Sequence, residues 1–322
     1  VKTLGDVFFY YLCPNTAVCL FFLFQFHPIP FISLFSMSDP KNYPLSDEYL
    51  AANRATWNAL TELHQQSHFY NVEQFKKTRN SLNAIELAEI GEVKDKSLLH
   101  LQCHFGMDTL SFAELGANVT GADLSDASIR LACQLRDELG LEGNFVASDV
   151  YALKENLTGK FDIVYTSYGA IGWLPDLKQW AGIISHFLKE GGYFYMVEFH
   201  PVIYMYEWAN NFALKYSYFN ERPVIETISE SYTNQKLKPQ VSYTWNHSLS
   251  EIVNALLGEG LQLEFLNEYN YSVYNCFPHL KEIEKGKYRF KPPYHHLPHT
   301  FSLRARKRTQ KNHTQSGRIA IE

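Results

Sequence analysis

Residues 98–129 read LLHLQCHFGMDTLSFAELGANVTGADLSDASI. A short apolar run over 97–103 stops at a turn that holds one glycine, Gly106. A second apolar run, 118–124, carries Asp123 near its end, and Ser125 and Asp126 then open a stretch with Ile129, Ala132, Leu135 and Leu139 at helical spacing. Three more runs follow: NFVASDV (144–150), FDIVYTSY (161–168) and YFYMVEF (193–199). Asp176 and Gln179 form a possible capping box for a helix over 176–188, with Leu177, Trp180, Ile184 and Phe187 on one side and Gly191-Gly192 as the stop signal. Strands alternating with helices predict an α/β fold with a doubly wound, mostly parallel sheet. Ligands in such sheets sit beyond the carboxyl ends of the strands.

Working outward, Ser46 caps a predicted helix to about Gln65, with Leu50, Trp57, Leu60 and His64 along one side. A polar linker, Lys76–Asn83, leads to a second short helix near Ala84–Ile90, so 37–94 reads as an N-terminal helical cap. Beyond Pro201 the stretch 201–247 is crowded with rings, among them Tyr204, Tyr206, Trp208, Tyr232, Tyr243 and Trp245, and shows no regular period. It reads as a lid inserted into a domain spanning 95–307. Ser248 and Glu251 then cap a helix ending near Gly258 or Gly260, and strands are expected at 261–271 and 300–307. Residues 308–322 read as a disordered tail. His295, His296 and His299 lie close together, but Pro292, Pro293 and Pro298 rule out a regular helix there, so no metal is expected.

The chain has 322 residues, 46% hydrophobic and 20% charged, with a formal net charge of −5. That is an ordinary globular composition, and it argues against a general electrostatic grip on nucleic acid. Five cysteines without a CxxC pair fit neither a disulfide framework nor a zinc ribbon, and the compartment expected is the cytoplasm. Residues 1–36 are apolar, with no charged side chain from 7 to 38. Pro14 interrupts that stretch, and each apolar part is shorter than the ~18 residues of a spanning helix. Met37 opens an ordinary polar sequence. Residues 1–36 therefore read as translated non-coding sequence outside the fold; the alternatives are a membrane anchor and a packed N-terminal element.

The candidate site gathers at successive strand ends. The turn Gln102-Cys103-His104-Phe105-Gly106 can aim backbone N–H groups at a ligand. Asp123 is placed to accept from both hydroxyls of a ribose, and Asp149 with the N–H of Val150 can read an adenine edge. The capping of the next helix falls to Ser125 and Asp126, which leaves Asp123 available.

The stretch quoted at the outset, followed by FVASDVY, FDIVYTSYGAIGWLPDL, LKEGGYFYMVEFHP and FSLRA, resembles the bacterial branch of class I S-adenosylmethionine-dependent methyltransferases over roughly residues 45–307. The resemblance implies a seven-stranded sheet with a reversed last hairpin, S-adenosylmethionine as cofactor and a small-molecule acceptor. It further implies that Gln102 to Gly106 wrap the methionine end of the cofactor, that Asp123 holds the ribose, that Asp149 and Val150 read the adenine, and that Tyr165 to Ser167 lie beside the sulfur; Leu124 is a further cofactor-binding candidate. An acid and two glycines are usual where His100, Gln102 and His104 stand here; the LHLQCHFG form occurs in the branch it resembles. His104, Asp108 or Tyr70 are the candidates for the work those residues do elsewhere. Glu198 and His200, at the end of the fifth strand, are the expected catalytic pair, with His200 as general base. Two rival readings are a nicotinamide-dependent oxidoreductase on a similar sheet and a non-catalytic S-adenosylmethionine-binding module.

Overall fold

The computed structural model describes residues 46–207, 212–233 and 235–309. The apolar extension 1–36, Trp208 and residues 310–322 of the expected tail lie outside the described residues. Three helices come first: α1 (Asp47–Gln65), capped by Ser46 accepting from the Tyr49 N–H; α2 (Val72–Thr78); and α3 (Ala84–Glu89). The alternating region follows as β1 (Ser97–Leu101), α4 (Met107–Glu114), β2 (Asn118–Asp123), α5 (Asp126–Leu139), β3 (Asn144–Ala147), the single turn α6 (Leu153–Asn156), β4 (Phe161–Thr166), α7 (Leu177–Phe187) and β5 (Leu188–Phe199). Two small hairpins, β6 (Tyr206–Glu207) with β7 (Ala213–Leu214) and β8 (Val224–Glu230) with β9 (Lys236–Thr244), precede α8 (Leu249–Gly258). The chain closes with β10 (Leu261–Tyr269), the hairpin β11 (Leu280–Glu284) and β12 (Lys287–Phe290), and β13 (Thr300–Lys307).

The main sheet has seven strands in the order β10-β13-β5-β4-β1-β2-β3. Strands β1 to β5 pair in parallel, and β13 runs antiparallel to both β5 and β10. This is the Rossmann-like methyltransferase arrangement, with the reversed last strand β13 inserted between β5 and the edge strand β10. One face of the sheet, including Leu99, Val164, Phe194 and Met196, packs on Trp180, Ile184 and Phe187 of α7 and on Ile252 and Leu256 of α8. The opposite face, with Leu98, Ile163, Tyr165 and Tyr195, packs on Phe112 of α4 and Ile85 of α3. Burying a side chain of this kind contributes about 1.5–3 kcal/mol. Both faces are covered, so the strands read as near-continuous apolar runs.

Two expectations need correction. Helix α2 occupies the start of the stretch read as a polar linker, because Val72 and Phe75 bury one side of an otherwise charged turn. Helix α7 stops at Phe187, and β5 begins at once. Gly191 and Gly192 instead serve an irregularity where β5 joins β4: the register shifts between Phe161 and Ile163, and a Cβ on Gly192 would meet the Asp162 carbonyl oxygen at 2.8 Å. The described residues of 201–247, where the sequence shows no regular period, form two hairpins. Strand β9 is tied to α1, where the Asn53 side-chain amide donates to the Tyr243 carbonyl and accepts from the Tyr243 N–H, both at 2.9 Å.

Candidate active site

The turn after β1 owes its shape to an alternation of backbone conformations. Gln102, His104 and Gly106 have φ of 57°, 51° and 76°. The left-handed region is open to glycine and costs other residues energy. At Gly106 it is reinforced by packing: an added Cβ would lie 2.6 Å from the Phe145 ring. The turn delivers Gly106 as the N-cap of α4, so unpaired N–H groups of the first helical turn sit beside it. The Gln102 amide donates to the Ala170 carbonyl at 2.7 Å, while its Oε1 is buried without a partner. That leaves the oxygen free to accept from a ligand or a water in the cavity.

At the end of β2 the Asp123 carboxylate accepts from the His104 N–H and from the Ser125 N–H, each at 2.8 Å. Burial nonetheless pushes its carboxyl up to about 6. Asp149, beyond β3, accepts from the Tyr151 N–H at 3.3 Å, and burial raises it too. Asp108 accepts from the Ser81 hydroxyl at 2.5 Å and is raised to about 6 by burial. Cys103, Leu124, Val150, Ser167 and Tyr70 join these residues around one cavity of about 830 Å³. Tyr70 bonds the hydroxyl of Tyr232.

Tyr204, Tyr206, Tyr232 and Trp245 of the expected lid also line the cavity, and other parts of its wall were missed by sequence reasoning. Trp57 from α1 and Trp173 close one side, with ring centroids 5.1 Å apart. Tyr274, Cys276 and Phe277, from the loop after β10, close another. Behind Tyr168 lies Glu86, fully buried and pushed up to about 7 by burial, which accepts from the Tyr168 hydroxyl at 3.0 Å. The regular spacing of Trp57 and His64 on α1 was visible as a helix face. Nothing local in the sequence marks that face as a cavity wall.

Glu198 and His200 are not brought to the cavity. The Glu198 carboxylate is turned into the loop after β4, where it accepts from the N–H groups of Gly169, Ala170, Ile171 and Phe199. His200 bonds Glu268 through Nε2 at 2.8 Å and accepts the Val202 N–H at Nδ1. The pair terminates β5 and braces the loops around it. Tyr165 is fully buried in the sheet, its ring 4.6 Å from that of His100, and does not line the cavity either. His299, from the histidine-rich loop, is spent on backbone: Nε2 accepts the Phe290 N–H, and Nδ1 pairs with the Leu297 carbonyl. Among the described residues no group of histidines, cysteines and carboxylates is arranged to hold a metal ion. No described helix is long and apolar enough to cross a membrane.

Residues 99–194 match the family model described as a methyltransferase domain. The ubiquinone biosynthesis O-methyltransferase of Shewanella pealeana is 30% identical over 124 residues, covering 37% of this chain and 52% of that protein. The protein of the same name from Nitrosococcus oceani is 28% identical over 139 residues, covering 42% and 58%. The chain thus spans little more than half the length of these curated relatives. A structure solved in work on the conversion of a disulfide bond into a thioacetal group during echinomycin biosynthesis superposes with a TM-score of 0.51 at 17% identity, covering 80% of this chain and 94% of the other. The sheet thus has the Rossmann-like methyltransferase fold, and residues 99–194 within it match a methyltransferase domain.

Proposed function

We propose that the protein transfers a methyl group from S-adenosylmethionine to a small-molecule acceptor. The observation that carries the reading is the convergence of the Gln102–Gly106 turn, Asp123 and Asp149 on one cavity at the carboxyl ends of β1, β2 and β3. The residues fit the cofactor. Asp123 accepts from the ribose hydroxyls, and Asp149 with the Val150 N–H takes the adenine edge. The buried Gln102 Oε1 and the Asp108 carboxylate accept from the α-ammonium, and the N-terminal turn of α4 faces the α-carboxylate.

When bound, S-adenosylmethionine supplies an electrophilic methyl on a sulfonium, so no metal is needed. The protein's own work is to hold an acceptor atom in line at about 3–3.5 Å and to keep water out. Tyr168, Phe199, Tyr274 and Phe277 line the side of the cavity beyond β4 and β5, where an acceptor would lie against rings. Proximity and exclusion of bulk water then supply the rate. Titration with S-adenosylhomocysteine, and separately with NADH, tests the cofactor. Transfer of labelled methyl from S-adenosylmethionine to extracted small molecules tests the activity. Tight NADH binding without S-adenosylhomocysteine binding would support the oxidoreductase instead, and cofactor binding with no acceptor methylated in any extract would support the binding module.

A further inference from the structure

The cavity wall has a one-sided electrostatic character. Among the described residues that line it there is no lysine and no arginine. Its two histidines contribute no positive charge, because burial pushes His100 down to about 3 and His104 well below its ordinary value. The carboxylates that line it belong to Asp108, Asp123 and Asp149, with Glu226 and Glu207 also in the wall, the last ion-paired with Lys215, whose Nζ lies 5.0 Å from the Tyr216 ring. Glu86 stands directly behind Tyr168. Asp108, Asp123 and Asp149 have the cofactor to serve; Glu86, Glu207 and Glu226 are not needed for it.

The surface left for an acceptor is built of rings. Tyr168 and Tyr274 have centroids 5.0 Å apart, Phe199 and Phe277 4.9 Å, and Tyr204 and Phe277 6.4 Å. Such a surface rewards a flat ring by stacking and edge contacts, and it attracts positive charge through the ring faces. An anion entering here would give up its water, meet no lysine or arginine of the described wall, and lie against the negative faces of rings; the positive charge left to it is the cofactor's own sulfonium, which S-adenosylhomocysteine lacks.

We infer that the acceptor is a ring-bearing molecule without an anionic group, neutral or cationic, and that carboxylate-, sulfate- and phosphate-bearing acceptors are excluded by the wall. The inference rests on reading the cavity as a methyl-transfer site and narrows what that site accepts. It takes its direction from the absence of basic side chains and the row of rings together, and not from the acids alone.

The test uses three ligands that share one ring and differ in charge: dopamine, catechol and 3,4-dihydroxyphenylacetate. Each is titrated by calorimetry into the full-length protein, free and saturated with S-adenosylhomocysteine. The expected order is dopamine at least as tight as catechol, with the anion at least about tenfold weaker than catechol. Phe277→Lys, checked for a native melting curve, is expected to raise the anion's affinity about tenfold while lowering that of dopamine. The inference is overturned if the anion binds the wild-type protein as tightly as catechol, or if none of the three binds at millimolar concentration. Failure of S-adenosylhomocysteine to bind would sink the methyl-transfer reading. The charge order in the free protein would still stand or fall independently as a statement about the cavity.

Discussion

The backbone N–H of His104 donates to the Asp123 carboxylate at 2.8 Å. This bond fastens the turn after β1 to the end of β2, so the two parts of the site proposed to face the methionine end of the cofactor and its ribose are held as one piece. On the proposed function the Asp123 carboxylate does two jobs, one in the empty protein and one in the complex.

Replacing it separates the two jobs. Asp123→Ala is expected to weaken S-adenosylhomocysteine binding by roughly 2–3 kcal/mol, because charge-assisted hydrogen bonds to two hydroxyls are lost and the turn is loosened. Calorimetry reads this directly, and an unchanged affinity would remove Asp123 from the ribose.

The same residue gives the affinity a pH dependence of fixed sign. Burial holds the free Asp123 carboxyl at about 6, and Asp108 likewise at about 6. Ligand hydroxyls and an ammonium favour the ionised forms, so both values fall in the complex. Affinity is then full above about pH 6 and falls as the pH drops through it, since protons must be displaced on binding. Titrations with S-adenosylhomocysteine between pH 5 and 8 (~0.5-unit steps) check it. A rise in affinity on acidification would contradict the assignment.

Gly106 is constrained twice, by φ of 76° and by the Phe145 ring lying where a Cβ would go. Gly106→Ala is expected to cost roughly 2–4 kcal/mol in urea unfolding, from backbone strain and overpacking together. Combining it with Phe145→Ala should recover the packing share and leave the strain, a coupling that a double-mutant cycle isolates.

Glu198 and His200 lead to opposite expectations. Glu198→Gln replaces an acceptor of four N–H groups with one oxygen and an opposing donor, so a loss of roughly 1–3 kcal/mol in stability and a weaker cofactor complex are expected. His200→Ala should leave turnover within severalfold of wild type at every pH, since the imidazole is engaged with Glu268 and Val202 outside the cavity. A loss of about 10²–10⁴ in turnover with unchanged cofactor affinity would restore His200 as a base.

The parts of this structure that were legible in the sequence are those specified locally. The Ser125, Asp176 and Ser248 caps each accept an N–H from the third residue on, and each sat in front of a helical apolar period. The strands of the main sheet are covered on both faces and so appear as dense apolar runs. The hairpin of β8 and β9 was not legible, because Ile225 and Val241 are exposed while Ser242 and Tyr243 are buried, which defeats the alternation that marks a half-buried strand. In the site, Asp123 and Asp149 announced themselves by standing at strand ends. Tyr274 and Phe277 reach the cavity, and Glu86 the back of Tyr168, only through tertiary packing, and no spacing in the chain predicts it. His200 misled for a related reason: its position at a strand end fixes where its backbone lies, while the direction of its ring is set by Glu268, 68 residues away.

The left-handed alternation at Gln102, His104 and Gly106 has a bearing on how such proteins diverge. The backbone here already follows a path that glycines would take without strain, although only one of the three positions is a glycine. Substituting glycine at 102 or 104 would relieve conformational energy while giving up the Gln102 tie to Ala170 and the His104 contact with His64, where the two ring nitrogens lie 3.4 Å apart. A lineage can therefore move between a glycine-rich and a glycine-poor spelling of this loop by exchanging backbone ease for side-chain anchoring, with the chain trace left in place. Shape persists across that exchange and spelling does not, so a search keyed to glycine spacing would pass over relatives whose loops superimpose.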